Sequence, residues 1–353
     1  MKITDLPSYQ EVTDYLAKQK NRPKHLLLGN GFSMAYSTEI FSYNALYSFI
    51  ESLDSEILTK LFKIINNKNF ELVMQQVDNF IQMAEAFSSD QSFVQKLKDA
   101  NQELQESLIK AIKKLHPEHT YEVSDEKSAS CFKFLSDYLD KDGKVFSTNY
   151  DLLLYWVTMR NASKKANDGF GKELENEEDL KKGGEAEFSE LLWGPNKSGQ
   201  SIFYVHGALH LFDTGIDIIK ETYTSGTYLL KNVQKRLDKK HYPIFVTAGN
   251  GKEKLNHIVH NKYLTDCYDN LSEITGSLVT FGFNFGEYDT HIINAINKAA
   301  KYRKDDGRDG MLLSVYIGVY TDDDLKHIES IKHKFKCKKV NYYNAGTVNI
   351  WNG

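Results

Sequence analysis

The stretch HLLLGNGFS, His25–Ser33, decides the fold. An apolar run of strand character, entered through Arg22-Pro23, ends at two glycines and a serine, and the chain beyond Ser33 reads as helix. A strand that leaves a core at a glycine-rich turn and feeds a helix is the opening unit of an alternating α/β sheet. The turn itself has two readings. It is a structural turn and nothing more, or it is a cradle in which the backbone of Gly29, Asn30, Gly31, Phe32 and Ser33 approaches the phosphates of a dinucleotide.

Working outward, short β-rich segments recur at Lys144–Ser147, Ile202–Val205, Ile244–Thr247, Ser277–Phe281, Leu312–Tyr320 and Val348–Trp351. Helical spacing separates several of them: DLLLYWVTM from Asp151, then Lys254–Leu271, Tyr288–Lys304 and Asp322–Phe335. This alternation predicts a Rossmann-like, doubly wound parallel sheet. Between its first two strands lie four amphipathic runs: NALYSFIESL, EILTKLFKIINN, FELVMQQVDNFIQMAEAF and SFVQKLKDANQELQESLIKAIKKL. Neither Pro nor Gly interrupts Asn44–Leu115, so a helical module is inserted over roughly 44–140. Residues 1–43 then hold the first strand and glycine loop, and 141–353 the rest of the sheet. The charged, glycine-punctuated stretch near 160–190 reads as a surface excursion.

Composition narrows the class. Of 353 residues, 41% are apolar and 26% charged, as in a globular chain. Lys and Arg number 44 against 48 Asp and Glu, a net charge of −4, which argues against a strongly basic nucleic-acid face. Cys131, Cys267 and Cys337 form no CxxC pair, so neither a disulfide framework nor a zinc ribbon is expected. No leader-like or membrane-spanning apolar stretch is present, and the cytoplasm is the expected compartment.

Ligands of such sheets lie beyond the carboxyl ends of the strands, so those ends carry the chemistry. After Gly29–Ser33 come Thr148-Asn149-Tyr150-Asp151, then His206-Gly207, then Gly282-Phe283-Asn284. Each has a plain alternative. Asn149 or Asp151 can cap the helix that starts there. His206 can be a satisfied core histidine, and Gly282–Asn284 a turn into a helix that Glu287 and Asp289 favour in its first turn. A dehydrogenase fingerprint fails, because Met34 stands where a third glycine belongs and no acidic residue ends a second strand ~20 positions on. His206 with His210, or His257 with His260, could be imagined to hold a metal, but neither pair has a clear third ligand, so no metal is expected. TAGNGKEK, Thr247–Lys254, lacks phosphate-loop spacing and reads as a strand-to-helix turn.

In combination, LLLGNGFS, FSTNYD, HGALHLF and GFN in this order resemble the sirtuin superfamily. The closer likeness is to bacterial SIR2-like proteins, including a group catalogued as a domain of unknown function. The resemblance runs from His25 to about Asn297. It implies that Gly29, Gly31 and Ser33 match the turn that holds the NAD phosphates, and that Asn149 and Asp151 face the nicotinamide ribose and nicotinamide. It makes His206 the match of the catalytic histidine and places Gly282 and Asn284 near the adenine ribose and phosphates. The four-cysteine zinc module of deacylating sirtuins is missing.

The resemblance therefore implies an NAD⁺ glycohydrolase, with NAD⁺ as substrate, no metal, and Asn149 and His206 as catalytic residues. It further implies a defence effector that depletes NAD⁺ under control of a partner protein, a nucleotide signal or oligomerisation. A non-catalytic NAD or ADP-ribose sensor, and an ADP-ribosyl transferase or cyclase, are the competing functions.

Overall fold

A computed structural model describes residues 2–19, 22–41, 55–66, 70–88, 90–115, 122–140, 142–161, 164–175, 185–223, 228–238, 243–246, 250–301 and 311–352. Its strands are, in chain order, β1 (Lys24–Leu28), β2 (Val145–Ser147), β3 (Phe170–Gly171), β4 (Leu192–Trp193), β5 (Ile202–Tyr204) and β6 (Gly207–Asp213). Then come β7 (Ile218–Lys220), β8 (Pro243–Phe245), β9 (Gly276–Phe281), β10 (Leu312–Val319) and β11 (Lys339–Asn344).

Six of these form one sheet in the order β11-β10-β9-β1-β2-β5, and every pairing in it is parallel. The two central strands are buried almost end to end, which is why they read as unbroken apolar runs rather than alternating ones. The chain moves from β1 outward through β2 to β5, then returns to the other side of β1 and continues through β9, β10 and β11. The reversal falls between β1 and β9, where doubly wound sheets open a crevice beyond their carboxyl ends. The expected α/β, Rossmann-like fold is thus present.

Two expected strands are corrected. The sequence places Ile244–Thr247 in the parallel alternation, but Pro243–Phe245 pairs antiparallel with β6 in a second sheet of order β3-β4-β7-β6-β8. The cause lies at β5, which is separated from β6 by Val205 and His206 alone. Gly207 turns the chain there with φ +79°, and a Cβ on it would lie 1.8 Å from the Ile244 carbonyl oxygen. The second correction concerns Val348–Trp351, which is not a strand. The last strand is Lys339–Asn344, closed by a 3₁₀ turn that the Asn344 side chain caps. The β-rich letters after it serve packing instead: the Trp351 indole donates to the Phe32 carbonyl at 3.0 Å, and the two rings lie 5.0 Å apart.

The expected helical runs appear as Glu56–Ile65, Phe70–Phe87 and Gln91–Leu115, while NALYSFIESL lies outside the described residues. Their inner face buries Leu58, Phe62, Val73, Val77 and Leu104 against Tyr155, Trp156 and second-sheet residues Leu209, Phe212 and Ile219. At roughly 1.5–3 kcal/mol for each such apolar side chain, this face rather than helix propensity holds the helices in place. The next helix, Asp125–Leu139, belongs to the other core, where Cys131, Leu135 and Tyr138 pack with β1 and β2. Part of the 160–190 stretch also forms structure, because Phe170–Gly171 pairs with Leu192–Trp193 in the second sheet. The expected helix Lys254–Leu271 is two, Gly251–Val259 and Lys262–Ser272, broken where Asn261 caps the second. Among the described residues, no helix is long and apolar enough to cross a membrane.

Candidate active site

The loops after β1 and β9 cross each other. Gly29 N–H donates to the Phe281 carbonyl at 3.0 Å, and Gly31 N–H to the Gly282 carbonyl at 2.9 Å. A Cβ on Gly29 would lie 2.5 Å from the Gly282 oxygen. Gly282 itself has φ +67°, and a Cβ there would meet Gly31 Cα at 2.5 Å. These glycines are explained first by loop-on-loop packing at the switch point. Phe32 N–H is also taken, by the Gly29 carbonyl at 2.9 Å. Of the expected turn, Asn30 and Gly31 line the cleft, while Gly29 and the side chains of Phe32 and Ser33 lie buried.

Ser33 nevertheless reaches the site. It opens towards the β2 end, where its Oγ donates to Asp151 Oδ2 and accepts from Asn149 Nδ2 at 2.9 Å. Asp151 Oδ1 takes the Leu153 N–H at 2.9 Å, but the N-cap of that helix is Leu152, without a side-chain cap, so neither Asn149 nor Asp151 is the simple N-cap the sequence offers. Thr148 is fixed by its Oγ1 and N–H, which both donate to the Leu28 carbonyl. The Asn149 amide has only one orientation that satisfies this network. Because the Ser33 hydroxyl proton goes to Asp151, its oxygen must receive an N–H, which sends Asn149 Oδ1 the other way. That Oδ1 is buried and has no hydrogen-bond partner among the described residues. An orphaned acceptor of this kind costs about 1–3 kcal/mol in an empty pocket, unless water or a ligand donates to it.

The strand ends converge on a single cleft of about 840 Å³. Asn30, Gly31, Thr148, Asn149, Asp151, His206, Gly282, Phe283 and Asn284 all line it, a convergence that the separate motifs could not establish. Its far wall comes from residues after β10 and β11, among them Tyr320, Thr321, Asp324 and Gly346. The volume lies within the roughly 300–1,000 Å³ of small-molecule and cofactor sites. The Gly282–Gly286 loop is held in a costly shape: Phe285 has φ +49°, offset by ring contacts to Phe283 at 4.8 Å and Phe335 at 5.1 Å.

His206 sits where the two sheets meet, and only 2% of it is exposed. Its Nε2 is 2.8 Å from Nε2 of His291, the second residue of the Thr290–Ala299 helix. Beneath them the wholly buried Lys254 donates to Asp289 at 3.1 Å. Burial, then His291 and Lys254, holds the His206 imidazole well below its ordinary range. Burial and then Lys254 push His291 down to about 3. Both rings are therefore neutral at neutral pH. His206, Asp289 and His291 offer ligand atoms within 4.8 Å of one another and could hold a metal ion. This is not the His206–His210 pair considered from the sequence, for His210 packs between the rings of Tyr155 and Tyr204. The Lys254 ammonium on Asp289 counts against a dication there.

A family model described as a domain of unknown function (DUF4917) matches residues 26–351, from β1 to the tryptophan that packs on Phe32. The chain belongs to the DUF4917 family. No curated protein matches the sequence.

Within this DUF4917 chain, sequence reasoning misses Lys254 and His291. Both leave a faint signal. Lys254 is four residues before Ile258 and shares its helix face, so the cation is carried into the core. His291 is in the first turn of a helix and precedes Ile292 and Ile293, and all three are buried. Asp289 reads in the sequence as a helix-favouring acid, and it is also the partner of Lys254.

Proposed function

We propose that this DUF4917 protein is an NAD⁺ glycohydrolase. The observation that carries the proposal is that Asn149, with its unpartnered Oδ1, and His206 line the same cleft at the sheet's switch point. The sirtuin resemblance supplies the substrate, and the residue chemistry supplies the mechanism.

Cleavage of NAD⁺ breaks the bond between nicotinamide nitrogen and C1′, with the electron pair leaving on nicotinamide. The ribose becomes oxocarbenium-like, and water adds at C1′ to give ADP-ribose and one proton. Asn149 Oδ1 accepts a hydrogen bond from that water or from a ribose hydroxyl and so fixes its direction. A neutral His206 accepts the proton. Asp151, anchored by Ser33 and Leu153, places negative charge beside the cation. The crossed glycine loops let backbone approach the diphosphate, whose charge favours a protonated His206 once the substrate is bound. Water is the acceptor in this scheme, and transfer to another nucleophile would use the same cleavage. An enzyme of this kind depletes NAD⁺, which suits a controlled defence effector.

The test is NAD⁺ loss and product formation by purified protein, with candidate nucleotides and any co-encoded protein present. Wild type should release nicotinamide and ADP-ribose, and Asn149→Ala and His206→Ala should each be slower by about 10²–10⁴-fold. Equal loss in all three would remove the assignment. Binding of ADP-ribose without any loss would replace the hydrolase with a sensor.

A further inference from the structure

His206 meets a second histidine in the interior, and the geometry of that contact is specific. The Nε2 atoms are 2.8 Å apart while the ring centres are 5.0 Å apart, with 28° between the planes. That separation is the one expected when two imidazoles meet edge to edge along an N–H···N line. One nitrogen must donate and the other accept, since two lone pairs or two protons on that line would repel.

Which ring donates decides what His206 can do in the cleft. If His291 donated, the neutral His206 would carry its proton on Nδ1 and could not accept another there. Taking a proton from the cleft side, as the hydrolase reading has His206 do, requires the opposite arrangement. His206 lines the cleft, whereas His291 Nδ1 is buried with no hydrogen-bond partner among the described residues, so only His206 has a second nitrogen that can meet a ligand. A neutral His291 with its proton on Nδ1 has a bare Nε2, which is an acceptor.

We propose that His291 is a positioning residue for His206: its Nε2 accepts the His206 Nε2–H and leaves the His206 Nδ1 lone pair as the nitrogen that works in the cleft. This arrangement is the one that the hydrolase reading above requires. In hydrolysis Nδ1 takes the proton from water as the C1′–O bond forms and the bond to nicotinamide breaks. The charge gained is then shared with His291 along the Nε2···Nε2 line until the proton returns to solvent.

The tautomer can be read without turnover, from long-range ¹H–¹⁵N correlations of protein labelled with ¹⁵N-histidine and assigned with His206→Gln. Wild type should show His206 with Nδ1 bare and Nε2 protonated, and His291→Leu should show a mixture of tautomers. A wild-type His206 protonated on Nδ1 would overturn the proposal. So would stoichiometric Zn²⁺ binding that shifts both rings, which would make the cluster a metal site. For activity, His291→Leu should lower kcat by about 10–100-fold at unchanged KM, as loss of an orienting partner does elsewhere. His291→Gln, which keeps an acceptor, should restore most of it. Equal loss in both variants, tracking a lower Tm, would mean a structural role only and sink the proposal. Wild type that cleaves no NAD⁺ defeats the hydrolase alone, and the tautomer measurement still decides this question.

Discussion

Two buried histidines stand at opposite ends of the parallel sheet. His25, at the amino end of β1, has Nε2 on the Thr275 carbonyl at 2.9 Å and Nδ1 on the Lys144 N–H at 3.1 Å. His206, beyond the carboxyl end of β5, meets a histidine and a cleft. Burial pushes both below the ordinary histidine range, His25 to about 3. Depressed basicity is therefore no mark of function by itself. What separates them is the partner. A backbone carbonyl can only accept and a backbone N–H can only donate, so His25 has one tautomer and nothing left over. An imidazole can do either, so the His206 pair can carry a proton.

Four substitutions test that contrast, in descending order of effect. His206→Asn should lower NAD⁺ turnover by about 10²–10⁴-fold with little change in Tm, whereas a large fall in Tm would make His206 a core residue like His25. Gly282→Ala should cost about 3 kcal/mol in denaturant unfolding, from its positive φ and the clash with Gly31, and should abolish ligand binding. His25→Leu strands the Lys144 N–H and the Thr275 carbonyl. It should cost about 2 kcal/mol and leave turnover per folded molecule unchanged. Finally, Lys254→Met removes a cation that lowers the basicity of both paired histidines. The acid limb of the pH–rate profile should move to higher pH, and an unmoved limb would take Lys254 out of the site's electrostatics.

The same comparison has a pH signature. The unfolded chain protonates His25 near 6.5, the folded chain only near 3. This share of stability is complete above 6.5 and is lost as pH falls towards 3, by about 1.4 kcal/mol per pH unit. His25→Gln should flatten the stability curve by that slope over the same window.

The strand ends are legible in the sequence because each combines an apolar run with small or polar residues in a few positions, a local pattern. Their convergence is not, since Gly31 and Gly282 touch across a long intervening stretch of chain. The second sheet is hidden for another reason. β5 and β6 lie in different sheets but are almost continuous in sequence, and periodicity reports a strand, not its neighbours. The last strand escapes because KVNYYN is a sheet edge, where polar residues are expected, while the more strand-like TVNIW packs as an irregular clasp. His291 reads only as part of a helix, because a buried histidine in an apolar helix face looks like any core position until its partner is known.

The crossing of the Gly29–Gly31 and Gly282 loops also bears on synthesis. The floor of the cleft exists only where the two loops press together, and they are encoded far apart in the gene. A nascent chain emerges at ~5–20 residues per second, so for many seconds it exposes the first glycine loop with nothing to cross it. On the proposed NAD⁺ glycohydrolase reading, an enzyme that destroys a nucleotide its own cell needs is built in an order that delays activity. The half made first is incomplete, and the piece that completes it leaves the ribosome late.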